Sequence, residues 1–419
     1  MRRVLLVLLI VLVCSGADWP RFRGPGAVGV DPSDATGPTV WTETENVLWK
    51  TPVTGFGSSS PVMIDGKLFV TGYDGYGNDR DEPGDMAELR YKLACYDAAD
   101  GSLIWERAII PFRSPKTPYE RMSLLHGYAS PTPVVDENAV YVSFGNSGVY
   151  AATHDGDRLW HADVGELTHG WNCGASPILW NDLVIVNASI ESKSIIALNK
   201  TTGERIWTAP EIESSWATPL IVETEDGDEE LVVSMKNILK GYDPATGEEL
   251  WRCDSVEDYV CPGLICRDGI VYVTGGRGPF FAAVKTGGRG DVTETHTIWT
   301  ADITPKVSTP LLYGDYLYFI DQQAIAVCLD ARNGETVYRE RLDLSGSGDK
   351  VYSSMVQIGE KLYCFSRVDG CVVLPAEPEF ELLAKNYLGD DSVFNATPIV
   401  DDGRLITRSD KFLYCLGTE

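Results

Sequence analysis

The sequence predicts an all-β fold, an eight-bladed β-propeller made of four-stranded antiparallel blades. Three features carry this prediction: a repeat with a period near 43 residues, two β-rich hairpins in each repeat, and no convincing helical pattern. A fixed period of this length is typical of propellers and other repeat arrays. Because eight repeats fill residues 18–419, we expect a single propeller domain and no second domain.

The first hairpin of each repeat begins with Ser, Thr or Ala, then Pro, an apolar run, a turn pair and a second apolar run. It is clear in SSPVMIDGKLFV from Ser59 and in ASPILWNDLVIV from Ala175. The proline of this opening, or the serine that replaces it at 354, is the anchor residue of each repeat. The anchors fall at positions 61, 133, 177, 219, 262, 310, 354 and 398. Their separations of 72, 44, 42, 43, 48, 44 and 44 residues predict eight inner strands. A seven-bladed ring is the alternative, because the unit at 350–395 is the least regular.

The second hairpin has a tight turn that runs from Asp or Asn to Gly, as in Asn199–Gly203 and Asp243–Gly247. Asp and Asn bond to local backbone, and Gly accepts a positive φ. The outer strand that follows carries an aromatic residue, expected to cover the neighbouring blade, at positions 105, 160, 207, 251, 299 and 338, with Leu382 in the seventh unit. The eighth unit ends before any outer strand. The NVLWK segment at 46–50 has the missing pattern, so we expect it to close the ring.

Residues 1–17 have the pattern of a secretory signal peptide: two arginines, ten apolar residues and small residues before a cleavage site after Ala17. Ten apolar residues are too few to span a bilayer of about 30 Å. A lipoprotein anchored through Cys14 is the alternative, but Val13 stands where a small residue is needed. We therefore expect export to the periplasm or beyond as a soluble monomer.

The net charge of −26 excludes a general basic field that would attract nucleic acid or anionic lipid. Cleavage after Ala17 would make the charge −28, because the leader holds two arginines and no acidic residue. We therefore expect no nucleic-acid partner and no membrane span. Another envelope protein or a small ligand is the expected partner.

Nine cysteines follow the leader, an odd number for an oxidising compartment. Cys95, Cys328 and Cys415 occupy the same place in their third strands, which predicts small buried packing residues. Cys253, Cys261 and Cys266 could hold one disulfide or pack in the same way. The acidic loop at 72–85 resembles a calcium loop, but Pro83 and Arg90 stand where oxygen ligands are needed. We interpret it as a solvated loop and expect no metal site.

The motif Asn/Asp-x-x-Thr-Gly-x-x-x-Trp, clearest within 197–207 and 241–251, resembles the repeats of pyrroloquinoline-quinone (PQQ) type propellers. That superfamily includes quinoprotein alcohol dehydrogenases and the BamB-type propeller lipoprotein of outer-membrane barrel assembly. The opening DWPRFRGP at 18–25 is similar to the start of secreted bacterial PQQ-like repeat proteins. The resemblance covers essentially the whole mature chain and implies the fold more firmly than any activity.

The resemblance also supplies a test for an enzyme. Quinoprotein dehydrogenases of this shape use two adjacent cysteines beside the quinone, a stacking Trp, and Glu, Asn and Asp around calcium. This sequence has no Cys-Cys pair and no haem-attachment Cys-x-x-Cys-His. We therefore predict a non-catalytic binding scaffold with no catalytic residue and no cofactor. A PQQ- and calcium-dependent oxidoreductase is the alternative, and a carbohydrate-active propeller would need paired carboxylates in its funnel.

Blade topology predicts where a site would lie. Loops between second and third strands share one face with the connections between blades, and the longest insertions, 71–91 and 107–130, both fall on that face. Aromatic, amide and cationic side chains there could bind a planar or anionic ligand, or a peptide. The alternative is that the tryptophans plug the axis and the arginines pair with carboxylates. The candidate residues are His126, Tyr128, His169, Trp171, Asn172, Trp216, Tyr259, Arg277, Lys306, Tyr352, Arg367, Asn395 and Arg408.

Overall fold

A computed structural model of the chain describes residues 18–79, 81–115, 123–345 and 350–418. Strands in these residues form eight separate sheets, each built on four antiparallel strands arranged outward from the axis, and one sheet has a short fifth strand at its outer edge. The eight-bladed prediction is confirmed, and the seven-bladed alternative is wrong. The predicted leader and Cys14 lie outside the described residues. No helix in the described ranges has the length and apolar character needed to cross a membrane.

The first four blades run from the axis outward as follows. Blade 1 has strands Val62–Ile64, Lys67–Asp74, Arg90–Asp97 and Leu103–Ile109. Blade 2 has strands Val134–Val135, Val140–Ser143, Val149–Ala152 and Arg158–Ala162. Blade 3 has strands Ile178–Trp180, Leu183–Ala188, Ser194–Asn199 and Arg205–Pro210. Blade 4 has strands Leu220–Glu223, Glu229–Met235, Ile238–Tyr242 and Glu249–Asp254.

The other blades continue the ring. Blade 5 has strands Ile265–Arg267, Ile270–Gly275, Phe280–Lys285 and Thr297–Ala301. Blade 6 has strands Leu311–Tyr313, Tyr316–Ile320, Ile325–Asp330 and Thr336–Arg341. Blade 7 has strands Val356–Ile358, Lys361–Phe365, Cys371–Pro375 and Ala384–Asn386. Blade 8 has strands Ile399–Asp401, Arg404–Arg408, Phe412–Leu416 and Val47–Pro52.

Helices contribute little to the described chain. Short α-helices lie at Ser123–His126, Ser189–Ser192 and Thr293–His296, and 3₁₀ turns at Pro25–Ala27, Met86–Glu88 and Gly145–Ser147. The insertion predicted at 71–91 is partly strand at its two ends, because the second and third strands of blade 1 extend to Asp74 and from Arg90. Its shorter loop packs against the second insertion, with Tyr76 and Tyr128 ring centroids 5.9 Å apart.

The amino end closes the ring as predicted. Val47–Pro52 pairs antiparallel with Phe412–Leu416, and Trp49 lies opposite Cys415. The seventh unit departs from its prediction, since Leu382 precedes the outer strand Ala384–Asn386 and is 44% exposed. The longer turn before this strand places Phe380 against Tyr338 of blade 6 instead, with ring centroids 5.6 Å apart.

The outer-strand tryptophans connect neighbouring blades. In five of these six residues the indole Nε1 donates to a carbonyl oxygen in the turn of the next blade, at 2.9–3.1 Å, from Trp49 to Ala98, Trp105 to His154, Trp160 to Lys200, Trp207 to Pro244 and Trp299 to Ala331. The turn glycine lies directly under the ring, and a Cβ on Gly101 would be 2.5 Å from Trp49. The predicted cover of the neighbouring blade is confirmed at these five positions.

A small residue faces each outer-strand aromatic. Opposite it in the third strand lie Cys95, Ala151, Ala197, Gly241, Ala283, Cys328 and Cys415. This confirms the packing interpretation of Cys95, Cys328 and Cys415. The cysteines from Cys95 to Cys415 are all free thiols, so the disulfide alternative for Cys253, Cys261 and Cys266 is not formed. Cys253 and Cys266 pack in one cluster between blades 4 and 5.

Blade 4 breaks the tryptophan pattern. Trp251 is fully buried and donates to the Glu230 carboxylate at 2.7 Å instead of to the next blade. The same carboxylate accepts from the Gly287 backbone at 3.2 Å and from Arg289 at 3.3 Å. The insertion that holds these residues adds Gly290–Asp291 as a parallel fifth strand beside Trp251. The turn of blade 5 is longer here, and the buried Glu230 carboxylate takes the place of a turn carbonyl as the acceptor for the indole.

Gly241→Ala is expected to lower the free energy of unfolding by about 1–3 kcal/mol, because overpacking displaces well-packed neighbours. A Cβ at Gly241 would lie 2.2 Å from the Trp251 ring, which is held by Glu230. Chemical denaturation measures the loss. Gly278→Ala is the matched control, since a Cβ there meets no atom within 4 Å. Equal stability of the two variants would contradict the packing argument.

Candidate functional site

A belt of hydroxyl groups surrounds the axis where the inner strands begin. The backbone N–H of one blade donates to the Ser or Thr hydroxyl of the next, at 2.8–3.1 Å, from Ser60 to Thr132, Thr132 to Ser176, Ser176 to Thr218, Gly263 to Thr309, Thr309 to Ser354, Ser354 to Thr397 and Thr397 to Ser60. The series breaks after Thr218, since Gly263 has no hydroxyl. Seven hydroxyls therefore face inward around the axis.

The belt also corrects two anchor positions. Gly263 and Ser354 occupy the Ser/Thr place of the repeat, so Leu264 and Met355, not Pro262 and Ser354, stand where the other blades have proline. Blade 5 carries its proline two residues early, and blade 7 has none there. The separations become 72, 44, 42, 45, 46, 45 and 43 residues, which makes the repeat more regular than the sequence suggested.

The amino-terminal segment Trp19–Asp31 crosses the ring at the end nearer the first-hairpin turns. Trp19 pairs with Met63 of blade 1, and Pro20 accepts from the Val135 backbone of blade 2 at 2.8 Å. At the other side, Gly29 and Asp31 bond to Gln357 of blade 7. The segment therefore forms a strap across the axis, and its Phe22 side chain forms the floor of the cavity above.

Arg23 fastens this strap. The guanidinium is only 2% exposed and donates to five carbonyl oxygens at 2.8–3.3 Å, those of Ala27, Val28, Thr309, Pro310 and Met355. Burial lowers the pKa of Arg23 to about 9, so it remains charged at neutral pH. One side chain thus joins the strap to blades 6 and 7.

Above the strap lies an axial cavity of about 170 Å³. Its lining comprises Phe22, Ser58, Ser60, His126, Ser130, Thr132, Trp171, Gly174, Ser176, Trp216, Thr218, Tyr259, Cys261, Gly263, Val307, Thr309, Tyr352, Ser354, Asn395 and Thr397. Among these described residues there is no Asp, Glu, Lys or Arg. The cavity is therefore polar but uncharged, in a chain whose net charge is −26.

Aromatic rings surround the cavity mouth on the predicted face. The His126 ring stacks on Trp171 with centroids 6.3 Å apart, and Tyr259 lies 5.7 Å from Trp171 and 5.8 Å from Trp216. His169 meets Trp216 edge-on at 5.0 Å. These residues come from the connections before the inner strands of three consecutive blades and from the helix Ser123–His126, so neighbouring blades build one cluster.

Six predicted site residues line the cavity: His126, Trp171, Trp216, Tyr259, Tyr352 and Asn395. Two others support them from behind. The Asn172 backbone carbonyl accepts from the Trp216 indole at 2.8 Å, and its side-chain Nδ2 donates to the Gly127 carbonyl at 3.3 Å. Arg367 donates to Asn395 Oδ1 at 3.0 Å and lies 5.2 Å from the Tyr352 ring centroid. Together with His169, and with Arg277 at 5.6 Å from the Tyr259 ring centroid, ten of the thirteen candidates lie at or beside the cavity mouth.

The other three candidates lie elsewhere. Tyr128 is buried in the core between blades 1 and 2. Lys306 lines a separate cavity of about 220 Å³ between blades 5 and 6, which Arg277, 3.7 Å from Asp258, also borders. Arg408 is 1% exposed and donates to Ser59 Oγ at 2.8 Å and to the Thr71 carbonyl. It joins blade 8 to blade 1 instead of reaching the funnel.

The imidazole and thiol groups at the cavity are neutral at pH 7. Burial lowers the pKa of His126 to about 4 and also lowers that of His169. Burial raises the pKa of the Cys261 thiol to about 12, so this sulfur is not a nucleophile. His126 Nδ1 is 2.7 Å from Ser130 Oγ, but no carboxylate lines the described cavity to orient the pair. The arrangement suits binding through aromatic and hydroxyl groups.

The same lining does not fit a quinone held by calcium. Calcium takes six to eight oxygen ligands, largely from carboxylates, and the described lining offers none. Over the described ranges, no group of three or more His, Cys, Asp or Glu side chains is placed to hold a metal ion.

Sequence reasoning missed the hydroxyl belt and the floor. Ser and Thr before the anchors are visible in the repeat, but the sequence alone did not show that they join successive blades. The DWPRFRG segment combines large rings and two arginines with Pro and Gly. That composition is the signal that could have indicated a buried strap.

Comparisons with known proteins place this fold in a family. The family model described as outer membrane protein assembly factor BamB matches residues 90–340, more than half of the 419 residues. A comparison with curated proteins finds no match.

Solved structures share the fold. BamB from Moraxella catarrhalis has a TM-score of 0.60 at 14% identity, covering 88% of this chain and 98% of its own. The computationally designed Ika8 protein has a TM-score of 0.59 at 12% identity, covering 89% and 99%. Quinohemoprotein alcohol dehydrogenase from Comamonas testosteroni has a TM-score of 0.51 at 12% identity, covering 96% and 80%. These likenesses establish the fold alone. On the extent of the family match, the chain belongs to the family described as outer membrane protein assembly factor BamB.

Proposed function

We propose that the protein is an exported, non-catalytic scaffold of the cell envelope that binds its partners at the face where the axial cavity opens. The observation that carries the proposal is the cluster of Trp171, Trp216 and Tyr259 at the mouth of a cavity whose described lining has no charged residue. Large amphipathic rings supply most of the binding energy where proteins recognise one another. Membership of a family named for outer-membrane protein assembly supports an envelope role.

The competing proposal is a quinone-dependent oxidoreductase. The neutral His126 and the absence of carboxylates from the described lining argue against acid–base work or calcium at the axis. The sequence features agree, since neither a Cys-Cys pair nor Cys-x-x-Cys-His occurs. Likeness to a dehydrogenase at 12% identity extends to the fold only.

The first experiment mixes the purified protein with PQQ and calcium, then adds alcohols and an artificial electron acceptor. We expect neither turnover nor stoichiometric quinone binding, because the lining lacks the required ligands. Absorbance titration and acceptor reduction are the measurements. Turnover, or tight quinone binding, would overturn the scaffold proposal.

The second experiment captures partners from an envelope extract on the immobilised protein. Trp171→Ala and Trp216→Ala are each expected to reduce recovery of the captured partner at least fivefold, because each removes a large ring from the mouth. Trp180→Ala is the matched control, since Trp180 lies at a first-hairpin turn on the opposite face. Recovery that survives both mouth substitutions would place the partner elsewhere.

A further inference from the structure

We infer that the axial cavity binds a neutral, polyhydroxylated ring, such as the terminal sugar of a glycan. The inference rests on the proposed binding role and names the chemical class of its ligand. It follows from four properties of the cavity: its lack of charge, its unused hydroxyl donors, its aromatic walls and its closed floor.

The first property is charge. A charged ligand would lose its hydration in this cavity without gaining an ion pair, because no described lining residue is ionised at neutral pH. Two guanidinium groups lie beside the mouth but outside the lining. Arg367 is held by Asn395 at 3.0 Å, and Arg277 lies 5.6 Å from the Tyr259 ring centroid and 3.7 Å from Asp258. An anionic ligand, such as a tricarboxylate or a phosphate, is therefore disfavoured, and an uncharged polar molecule is favoured.

The second property is the belt of seven hydroxyls. Each accepts one backbone N–H from the neighbouring blade. None donates to a protein acceptor within the described chain. A hydroxyl holds one donor and two acceptor sites, so each keeps a proton and a lone pair for what occupies the cavity. A ligand whose own hydroxyls both donate and accept matches this pattern around its whole rim.

The third property is the aromatic wall. At the entrance Tyr259 contacts both Trp171 and Trp216, with ring centroids 5.7 and 5.8 Å apart. A sugar ring is polar at its rim and has C–H groups on its faces, and those faces pack against aromatic rings with loss of apolar surface to water. The cavity thus offers aromatic surface for the faces and hydroxyls for the rim.

The fourth property is size. The volume of about 170 Å³ is more than ten times the roughly 10–15 Å³ that one ordered water requires. Phe22 closes the inner end, where Arg23 holds the strap in place. The cavity therefore admits a single ring inserted end-on, so the terminal residue of a glycan fits better than an internal one.

The test titrates the full mature chain with methyl glycosides of glucose, mannose and N-acetylglucosamine, using calorimetry and tryptophan fluorescence. We expect at least one neutral glycoside to saturate at low-millimolar concentration. Glucuronic acid, a similar ring with a carboxylate, is expected to bind at least tenfold more weakly than that glycoside. Equal binding of glucuronic acid, or no saturation by any neutral glycoside up to 100 mM, would overturn the inference.

Two matched pairs of variants locate the binding. Trp171→Ala is expected to weaken it at least tenfold and Trp171→Phe less than threefold, since only the second keeps a ring. Thr132→Val is expected to weaken it at least fivefold and Thr132→Ser to preserve it, since only the second keeps the hydroxyl. Thermal unfolding verifies that each variant is folded, and binding unchanged in Trp171→Ala and Thr132→Val would refute the assigned site.

The outcomes separate this inference from the proposed function. Partner capture without glycoside binding would refute the sugar site and leave the scaffold standing. Tight quinone binding would refute both.

Discussion

Arg23→Met is expected to lower the free energy of unfolding by about 3–5 kcal/mol, because buried carbonyl groups would lose their donors. The guanidinium supplies donors to five carbonyl oxygens that belong to the strap and to blades 6 and 7. At 2% exposure, water has little access to replace these bonds. Chemical denaturation measures the loss, and limited proteolysis at the amino end should show whether the strap detaches first.

Arg21→Met is the matched control on the same strap. Arg21 Nε and Nη2 are buried and have no hydrogen-bond partner among the described residues. Burial lowers the pKa of Arg21 to about 10, which reflects a cation held without compensating contacts. Removing it is expected to change stability by less than about 1 kcal/mol or to increase it. Equal losses of unfolding free energy in both variants would mean that losing either arginine from the strap has the same effect. The Arg23 hydrogen bonds would then not be what stabilises the protein.

The fold was predictable because its signals are local and repeat. Turn residues such as Asn199 and Gly203 act through their own backbone, and the apolar runs between turns define short strands. Ring closure was also predictable, since NVLWK supplied the pattern that the last repeat lacked. The shift at Gly263 was not predictable, because only contact with Thr309 of the next blade reveals which residue holds the belt position.

The site was predictable in part for the same reason. Topology places every blade connection on one face, so Trp171, Trp216 and Tyr259 could be assigned to it from the sequence. Topology does not determine where a long side chain points. Arg408 ends a second strand on that face, yet its guanidinium turns toward Ser59 and the Thr71 carbonyl at the seam between blades.

Glu191→Gln is expected to stabilise the protein by about 3 kcal/mol at pH 8 and to have little effect at pH 4. Glu191 is 4% exposed, lies near Cys173 between blades 2 and 3, and has no ion-pair partner within the described residues. Burial raises the pKa of its carboxyl from 4.5 to about 7. The folded protein therefore keeps a proton that the unfolded chain releases, so wild-type stability falls as pH rises from about 4.5 to 7.

Glutamine does not ionise, so the difference in the free energy of unfolding between variant and wild type should grow through this interval and become constant above pH 7. His126 acts in the opposite direction, because its pKa of about 4 makes stability fall as pH drops below about 6.5. Since both proteins carry His126, its contribution cancels in the comparison. Glu294→Gln, at an exposed position, is the control and should show no such trend. A Glu191→Gln difference that does not vary between pH 4 and pH 8 would mean that this carboxyl ionises normally in the folded state.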